Sequence, residues 1–229
     1  MEEALIQQEF YGSFEAQIAG AYFADQIAAA KDQGRVTRLP IEPSLNVHTA
    51  WDLGISDAMS IWLFQAIGKE IRLIGYYENN GKGMEHYIQW LNQYASTNGV
   101  MLGQHLAPHD IEVRELTSGR SRKDVAREMG ISLRTVQRPR TKAEGIQAIR
   151  RMFPRFWFDQ DKAEHGLNCI ASFHGELDGK RSVFRDTPVH DWASHGADAL
   201  QTLALGWQES MISGHRPQPR QAEVRFSVF

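Results

Sequence analysis

Two aspartates that follow strand-like runs are the side chains of this chain best placed to do chemistry. Asp52 ends the apolar run Val47–Asp52 just before Gly54, and Asp110 follows a second such run over residues 101–107. Strand ends in an open α/β sheet hold side chains outside the core on a rigid backbone, and a nearby glycine lets a ligand approach closely. Taken alone, an aspartate in such a position is more often a turn or helix cap.

A third acidic motif runs from His190 to Asp198 and reads His-Asp-Trp-Ala-Ser-His-Gly-Ala-Asp. If a helix starts at Asp191, then His195 and Asp198 lie on one stripe together with Thr202, while the apolar residues lie on another. The spacing therefore predicts a helix that packs with one face and offers a histidine and a carboxylate on the other.

Carboxylates brought together from these motifs would repel one another unless cations lay among them. Oxygen ligands beside an imidazole suit Mg²⁺ or Mn²⁺ better than zinc. Two such ions about 3.5–4 Å apart would activate a water and stabilise the leaving oxygen of a phosphodiester. The motifs are thus consistent with a two-ion hydrolytic site containing Asp52, Asp110 and Asp198.

The overall composition limits how the chain can bind nucleic acid. The 229 residues suit one α/β domain with an appendage, and 25 Lys and Arg are outnumbered by 28 Asp and Glu. With a pI near 6.3 there is no global basic excess, so any DNA contact must be local. The single cysteine, Cys169, fits a reducing compartment. With an acidic N-terminus and no long apolar run, the chain is predicted to be cytoplasmic and to make no membrane contact.

Apolar periodicity predicts a mixed order of strands and helices. Strands are expected over residues 47–52, 58–67 and 71–77, and these three would pair as an antiparallel meander. The elements expected after them are a helix over 84–94, a strand over 101–107, helices over 122–129, 142–152, 161–173 and 191–211, and a short strand over 156–158.

Around its acidic motifs the chain resembles the nuclease domain of tailed-phage terminase large subunits. The resemblance rests on Trp-Asp-Leu-Gly-Ile-Ser-Asp from Trp51, Pro-His-Asp from Pro108 and the motif from His190, and it extends from about Thr49 to Leu205. It implies an α/β, ribonuclease H-like fold with a mixed central sheet flanked by helices. It also implies a two-metal DNA endonuclease that cuts concatemeric viral DNA during genome packaging in the host cell cytoplasm.

By position, the resemblance assigns the metal-binding carboxylates to Asp52, Asp110 and Asp198 and places His195 beside two Mg²⁺ or Mn²⁺ ions. Asp191 is a further candidate metal ligand, although a capping or second-sphere role is equally open to it.

Other residues inside or near the motifs have less defined roles. Asp57 could be a ligand or a cap. Residues 175–185 are predicted to form a hairpin near the cleft, in which Lys180 and Arg181 would contact phosphate.

Terminase large subunits carry an ATPase motor ahead of the nuclease, and nothing in this sequence fits Gly-x-x-x-x-Gly-Lys-Ser/Thr. The chain is therefore predicted to be a nuclease half. Residues 1–43 would be a helical linker from a motor domain, 44–215 the nuclease domain and 216–229 a disordered tail. The implied partners are double-stranded DNA, the motor, the small terminase subunit and the portal.

A basic segment follows the second acidic motif. Between Glu112 and Arg155 there are twelve Lys or Arg against five acids. Such a concentration could steer a DNA backbone, with Arg120, Arg122 and Lys123 as predicted contacts. A solvated charged helix face is the alternative.

The stretch from Arg122 to Arg138 also resembles a helix-turn-helix, which makes a sequence-specific DNA-binding protein the second hypothesis. Against it, Pro139 stops the second helix after about two turns. A third class, a structural protein, would need no metal. No zinc site is predicted, because apart from His190 and His195 the histidines are dispersed, and Cys169 is expected to be inert.

Overall fold

The computed structural model describes residues 20–54, 58–114, 119–178 and 183–212. Seven strands form the central sheet, namely β1 Val36–Thr37, β2 Val47–Asp52, β3 Met59–Ile67, β4 Glu70–Asn79, β5 Leu102–Pro108, β6 Leu133–Val136 and β7 Phe156–Asp159. Their spatial order is β1-β7-β4-β3-β2-β5-β6. Two further strands, β8 Gly175–Asp178 and β9 Val183–Pro188, pair as a separate hairpin.

Helices cover both faces of the sheet. They are α1 Ala24–Asp32, α2 Met84–Asn98, α3 Arg122–Glu128, α4 Lys142–Met152, α5 Glu164–Ser172 and α6 Trp192–Gly206. Helices α2 and α3 pack in one hydrophobic core, and α1, α4, α5 and α6 pack in another on the opposite face. Among the described helices, none combines the length and the apolar character that a bilayer crossing requires.

Strand β3 shows why the sheet is buried on both sides. Trp62 and Phe64 point into the core formed with α5 and α6, whereas Ile61 and Leu63 point into the core formed with α2. A strand covered on both faces reads as a continuous apolar run instead of an alternating one. The run beginning at Met59 therefore identifies the centre of a three-layer α/β domain.

The predicted fold class is confirmed. Strands β2, β3 and β4 form the expected antiparallel meander, and β5, β6 and β7 add parallel pairings, so the sheet is mixed. The expected helices are present with ends shifted by a few residues: α6 stops at Gly206, and a separate 3₁₀ turn, Glu209–Met211, follows it.

The second half of the proposed helix-turn-helix is wrong. Helix α3 ends before Gly130, which has a φ of 88°, and residues 133–136 form β6 instead of a recognition helix. β6 pairs in parallel with β5, so that Thr135 lies opposite Ala107. Pairing with the edge of β5 gives the N–H and C=O groups of residues 133–136 hydrogen-bond partners. A helix of only two turns before Pro139 would leave many of those groups without partners at its two ends.

Residues 20–43 do not behave as a connection that lies outside the domain. Phe23 and Ile27 are buried in the core shared with α5 and α6, and Val36 pairs with Phe158 at the sheet edge. Arg35 donates to the carbonyls of Phe153 and Phe156 at 3.0 and 2.7 Å. The boundary predicted near Pro43 therefore does not separate two packing units, and attachment to a motor stays a prediction.

Several predicted features lie outside the described residues. They are the first 19 residues of the linker, Asp57, the hairpin residues Lys180 and Arg181, and the tail from residue 216.

Close packing of α5 on the sheet gives a test of this core. A Cβ at Gly166 would lie 2.5 Å from Trp62 Cη2, whereas a Cβ at Gly145 in α4 would meet the end of the Gln201 side chain, which can move aside. We expect Gly166→Ala to lower the free energy of unfolding by about 1–3 kcal/mol through overpacking. Gly145→Ala should change it by no more than about 1 kcal/mol, because alanine favours the helix. Urea denaturation of both variants measures the difference, and equal effects would contradict the packing described.

Candidate active site

The predicted carboxylate at the end of β2 meets the predicted histidine on α6. Asp52 Oδ2 lies 3.6 Å from Nδ1 of His195, and both side chains are largely buried. Asp52 is the last residue of β2, and the five residues before it are buried. Its backbone is therefore held rigidly at the end of the sheet. The strand-end interpretation of Asp52 is thereby supported by a polar contact with the third motif.

Hydrogen bonds to the sheet hold the first turns of α6 in place. Ser60 Oγ donates to the carbonyl of His195, and Trp62 Nε1 donates to that of Gly196, both at 2.9 Å. Asp191 caps the helix, since its Oδ1 accepts the backbone N–H of Ala193 at 2.9 Å. These contacts fix the position of His195 and of the next turn of α6 relative to the end of β2.

Asp198, one turn further along α6, forms an ion pair with the side chain of Lys142. Lys142 Nζ lies 3.3 and 3.5 Å from the two carboxylate oxygens of Asp198. Lys142 is the first residue of α4, which Thr141 caps by accepting the backbone N–H of Glu144 at 3.1 Å. This lysine is not among the predicted site residues, because 56 residues separate it from Asp198.

Asp110 approaches from the end of β5. It lies in a 3₁₀ turn, His109–Glu112, that begins directly after Pro108. Its Oδ1 is buried and has no hydrogen-bond partner among the described residues. A buried carboxylate oxygen without a donor is costly unless a cation or water satisfies it.

A cavity of about 120 Å³ lies beside these groups and is lined by Asp52, His109, Lys142 and Asp198 among others. It continues toward a second cavity of about 320 Å³ that Arg138, Arg140 and Lys142 share with Gln201. An acidic interior thus opens toward basic side chains.

The electrostatics of the cavity centre on Asp52. Removal from water raises the pKa of the Asp52 carboxyl, and the negative charges of Asp198 and Asp110 raise it further. The hydrogen bond and charge of His195 act in the opposite direction. Burial dominates, so the ionised form of Asp52 is disfavoured until a positive charge enters.

The fold brings most of the predicted site residues to one place. Asp52 and Asp198 line the cavity, His195 contacts Asp52 at its edge, and Asp110 is close enough to influence the Asp52 charge. Asp191 lines a different pocket, of about 400 Å³, together with Glu78 and His195, and its side chain acts there as the helix cap.

Of the predicted DNA contacts, two are engaged in ion pairs. Arg120 pairs with Glu128, and Lys123 Nζ lies 2.6 Å from Glu112 Oε1, two residues beyond Asp110. Arg138, Arg140 and Lys142 are the basic residues of the same segment that line the cavities.

The shifted pKa of Asp52 generates a test in metal-free protein. A folded-state pKa above the unfolded value of about 3.8 makes ionised Asp52 destabilising at neutral pH and harmless well below pH 4. We expect Asp52→Asn to raise the free energy of unfolding at pH 7 by more than about 0.5 kcal/mol, the usual limit for an exposed substitution. The gain should shrink as pH falls toward 4. Asp32→Asn, at an exposed position of α1, should change little, and a pH-independent gain at Asp52 would contradict the burial effect.

No family model and no curated protein sequence matches the chain. Similarity is found among solved structures, beginning with isolated nuclease domains. The phage P22 large terminase nuclease domain superposes with a TM-score of 0.56 at 15% identity, over 76% of this chain and 88% of that one. The nuclease of thermophilic phage G20c with bound magnesium gives a TM-score of 0.53 at 12% identity, over 82% and 98%.

A longer large terminase from another thermophilic bacteriophage, solved in complex with ATP-γ-S, gives a TM-score of 0.59 at 14% identity and is matched over 81% of this chain. The chain spans less than half of that protein, 45% of its length. At such low identity the likeness concerns the fold. The chain has the ribonuclease H-like architecture of large terminase nuclease domains, and its acidic cavity lies at the ends of the central strands of that fold.

Proposed function

We propose that the chain is a divalent-metal-dependent DNA endonuclease whose catalytic centre is the cavity at Asp52. The observation that carries this proposal is the convergence of Asp52, Asp198 and His195 in a fold shared with terminase nuclease domains, beside an Asp110 oxygen that has no partner in the described part of the chain. The G20c nuclease binds magnesium or cobalt in its own crystals, which supports metal use on this architecture.

We propose that the site holds two ions, as the resemblance to terminase nuclease domains implies. An ion held by all three acids would need their oxygens within about 4.2 Å of one another, twice a typical Mg²⁺–oxygen distance. Asp52, Asp110 and Asp198 do not form a group of ligand atoms all within 4.8 Å in the described structure. Two ions would share the three acids between them, and Asp52, Asp110 and Asp198 are the residues that would hold them.

In the proposed reaction, Asp52, His195 and Lys142 have different roles. When bound, the ions would activate a water and stabilise the leaving oxygen of the phosphodiester. Asp52, at the rigid end of β2, would hold the cations, and His195 orients the Asp52 carboxylate through its Nδ1 contact. Lys142 offsets the charge of Asp198 and stands where a scissile phosphate would enter.

The biological setting follows the same likeness. We propose that this domain acts with a terminase motor on double-stranded viral DNA, cutting the concatemer during packaging, with the small subunit and the portal as the further partners of such a machine. The likeness to the longer large terminase, solved with ATP-γ-S, supports the motor context.

The first functional test replaces the acids one at a time. We expect Asp52→Asn, Asp110→Asn and Asp198→Asn each to lower plasmid cleavage in Mn²⁺ or Mg²⁺ by more than about 100-fold, beyond the 10- to 100-fold that outer-sphere groups cost. His195→Ala should retain partial cleavage in Mn²⁺. Asp32→Asn is the matched charge control and should cut normally. Full activity of any of the three acid variants removes that residue from the site, and cleavage in EDTA would overturn the metal requirement.

DNA must reach this site through local positive charge, because the chain as a whole is acidic, with a formal charge of −3. Arg138 and Arg140 are exposed on the short connection between β6 and α4, beside Lys142. Within the described part of the chain, neither guanidinium forms an ion pair with a carboxylate. We define Arg138, Arg140 and Lys142 as the basic rim and propose that it binds the DNA backbone.

The second functional test compares this rim with basic residues whose charge is already offset. Each phosphate contact contributes about 0.9 to the slope of log affinity against log salt concentration. We expect Arg138→Ala/Arg140→Ala to reduce the slope by close to 2, with catalysis suppressed by Ca²⁺ or EDTA as required. Arg120→Ala/Lys123→Ala should reduce it less, because Glu128 and Glu112 already compensate those charges. A larger effect from the second pair would move the DNA path to α3.

A further inference from the structure

A second group of ligand-type side chains lies apart from the cavity at Asp52. Glu78 is on β4, and His165 and Cys169 are on α5. One ligand atom from each lies within 4.8 Å of the other two, and in the described residues this is the one such group of three or more acidic, histidine or cysteine side chains. The proposed nuclease mechanism makes no use of it.

Two strand spacings of the central sheet, from β2 across β3 to β4, separate this cluster from Asp52. Asp52 pairs with Ser60 on β3, and Ser60 pairs with Glu78 on β4. Two steps of strand spacing place the backbones of Asp52 and Glu78 roughly 9–10 Å apart. A cation bound at Glu78 would therefore occupy a different position from ions bound at Asp52.

The distances within the cluster are close to those of a coordination polyhedron. His165 Nε2 lies 3.6 Å from Glu78 Oε2. A tetrahedral zinc with nitrogen, oxygen and sulfur ligands separates neighbouring ligand atoms by about 3.3–3.8 Å, given its bond lengths. Only small side-chain adjustments would bring all three atoms to bonding distance.

Rigid packing holds the ligands where they are. His165 and Cys169 are four residues apart, which places both on one face of α5. Gly196 of α6 packs so closely on this face that a Cβ there would lie 2.6 Å from Cys169 Cβ. The Cys169 side chain is fully buried, whereas 58% of the His165 side chain is exposed.

Tyr76 supplies the orienting contact that metal ligands usually have. Its hydroxyl donates to Glu78 Oε2 and lies 4.0 Å from Cys169 Sγ. Burial raises the pKa of the Tyr76 hydroxyl, which keeps it protonated as a donor. A pocket of about 340 Å³, lined by Tyr76, Glu78 and His165 among others, leaves room for a water as fourth ligand.

We propose that Glu78, His165 and Cys169 form a binding site for one borderline-soft divalent cation, zinc in the first place. A thiolate and an imidazole select zinc or cobalt over Mg²⁺, which prefers oxygen ligands. Burial raises the pKa of the Cys169 thiol to about 12 without metal. Binding releases the thiol proton to solvent as the sulfur–metal bond forms. The bound ion would tie α5 to the end of β4.

The test uses cobalt as a spectroscopic probe of the folded, chelator-stripped protein. Because Cys169 is the single cysteine, a sulfur-to-cobalt charge-transfer band can arise from this site alone. We expect one equivalent of Co²⁺ to produce the band, one equivalent of Zn²⁺ to abolish it and excess Mg²⁺ to leave it unchanged. Zn²⁺ should also raise the melting temperature of the wild type. A folded wild type with no band would overturn the proposal.

Variants separate ligand loss from misfolding. Cys169→Ser and His165→Ala should both lose the band, and circular dichroism verifies that they are folded; a band that persists in folded Cys169→Ser would refute the site. Tyr76→Phe should keep the band but bind zinc about 10- to 100-fold more weakly, as expected of an outer-sphere partner. Asp52→Asn should bind cobalt at Cys169 normally, so failure of the nuclease proposal and failure of this one are distinguishable.

Discussion

The removal of the Asp52 carboxylate from water is the constraint on which the candidate active site depends. A buried charge of this kind is tolerated only where partners offset it. The structure places His195 against Asp52 and balances the neighbouring Asp198 with Lys142, while one oxygen of Asp110 remains without a donor among the described residues. The site is therefore electrostatically incomplete in the described residues alone, and the metal ions proposed for it would supply the missing positive charge.

Helix α6 is the element that holds the partners of Asp52 at a fixed position relative to the sheet. Its first turns hydrogen-bond to Ser60 and Trp62 on β3, so its position is tied to the middle of the sheet. One stretch of the helix contributes His195 and Asp198 to the candidate active site, and Gly196 in the same stretch packs against α5 at Cys169. The two candidate sites thus share one supporting helix. Because densely packed interiors transmit displacement, the packing of α5 and the geometry of the candidate active site are coupled through α6.

The sequence by itself was enough to predict the main elements and to nominate the acidic residues that lie together in the candidate site. Strands buried on both faces produce apolar runs, and the run of β3 is long enough to be unmistakable. The predicted helices carry a periodic apolar stripe over two or more turns. Asp52 and Asp198 were candidates because one stands at a strand end and the other on the polar stripe of a helix, and the resemblance to terminase nuclease domains distinguished them from aspartates that only cap turns or helices. These features depend on residues near one another in the chain, so local patterns report them.

Tertiary structure alone decided which elements pair and which distant side chains meet. The four residues of β6 are too few to distinguish a strand from a helix by periodicity, and the open edge of β5 settled their conformation. The partnership of Lys142 with Asp198, and that of Glu78 with His165, joins residues far apart in sequence. No local pattern encodes such contacts, because they depend on how whole helices pack across the sheet. The sequence therefore determined the secondary-structure elements and the chemical types of the candidate side chains. Packing determined which of those side chains contact one another.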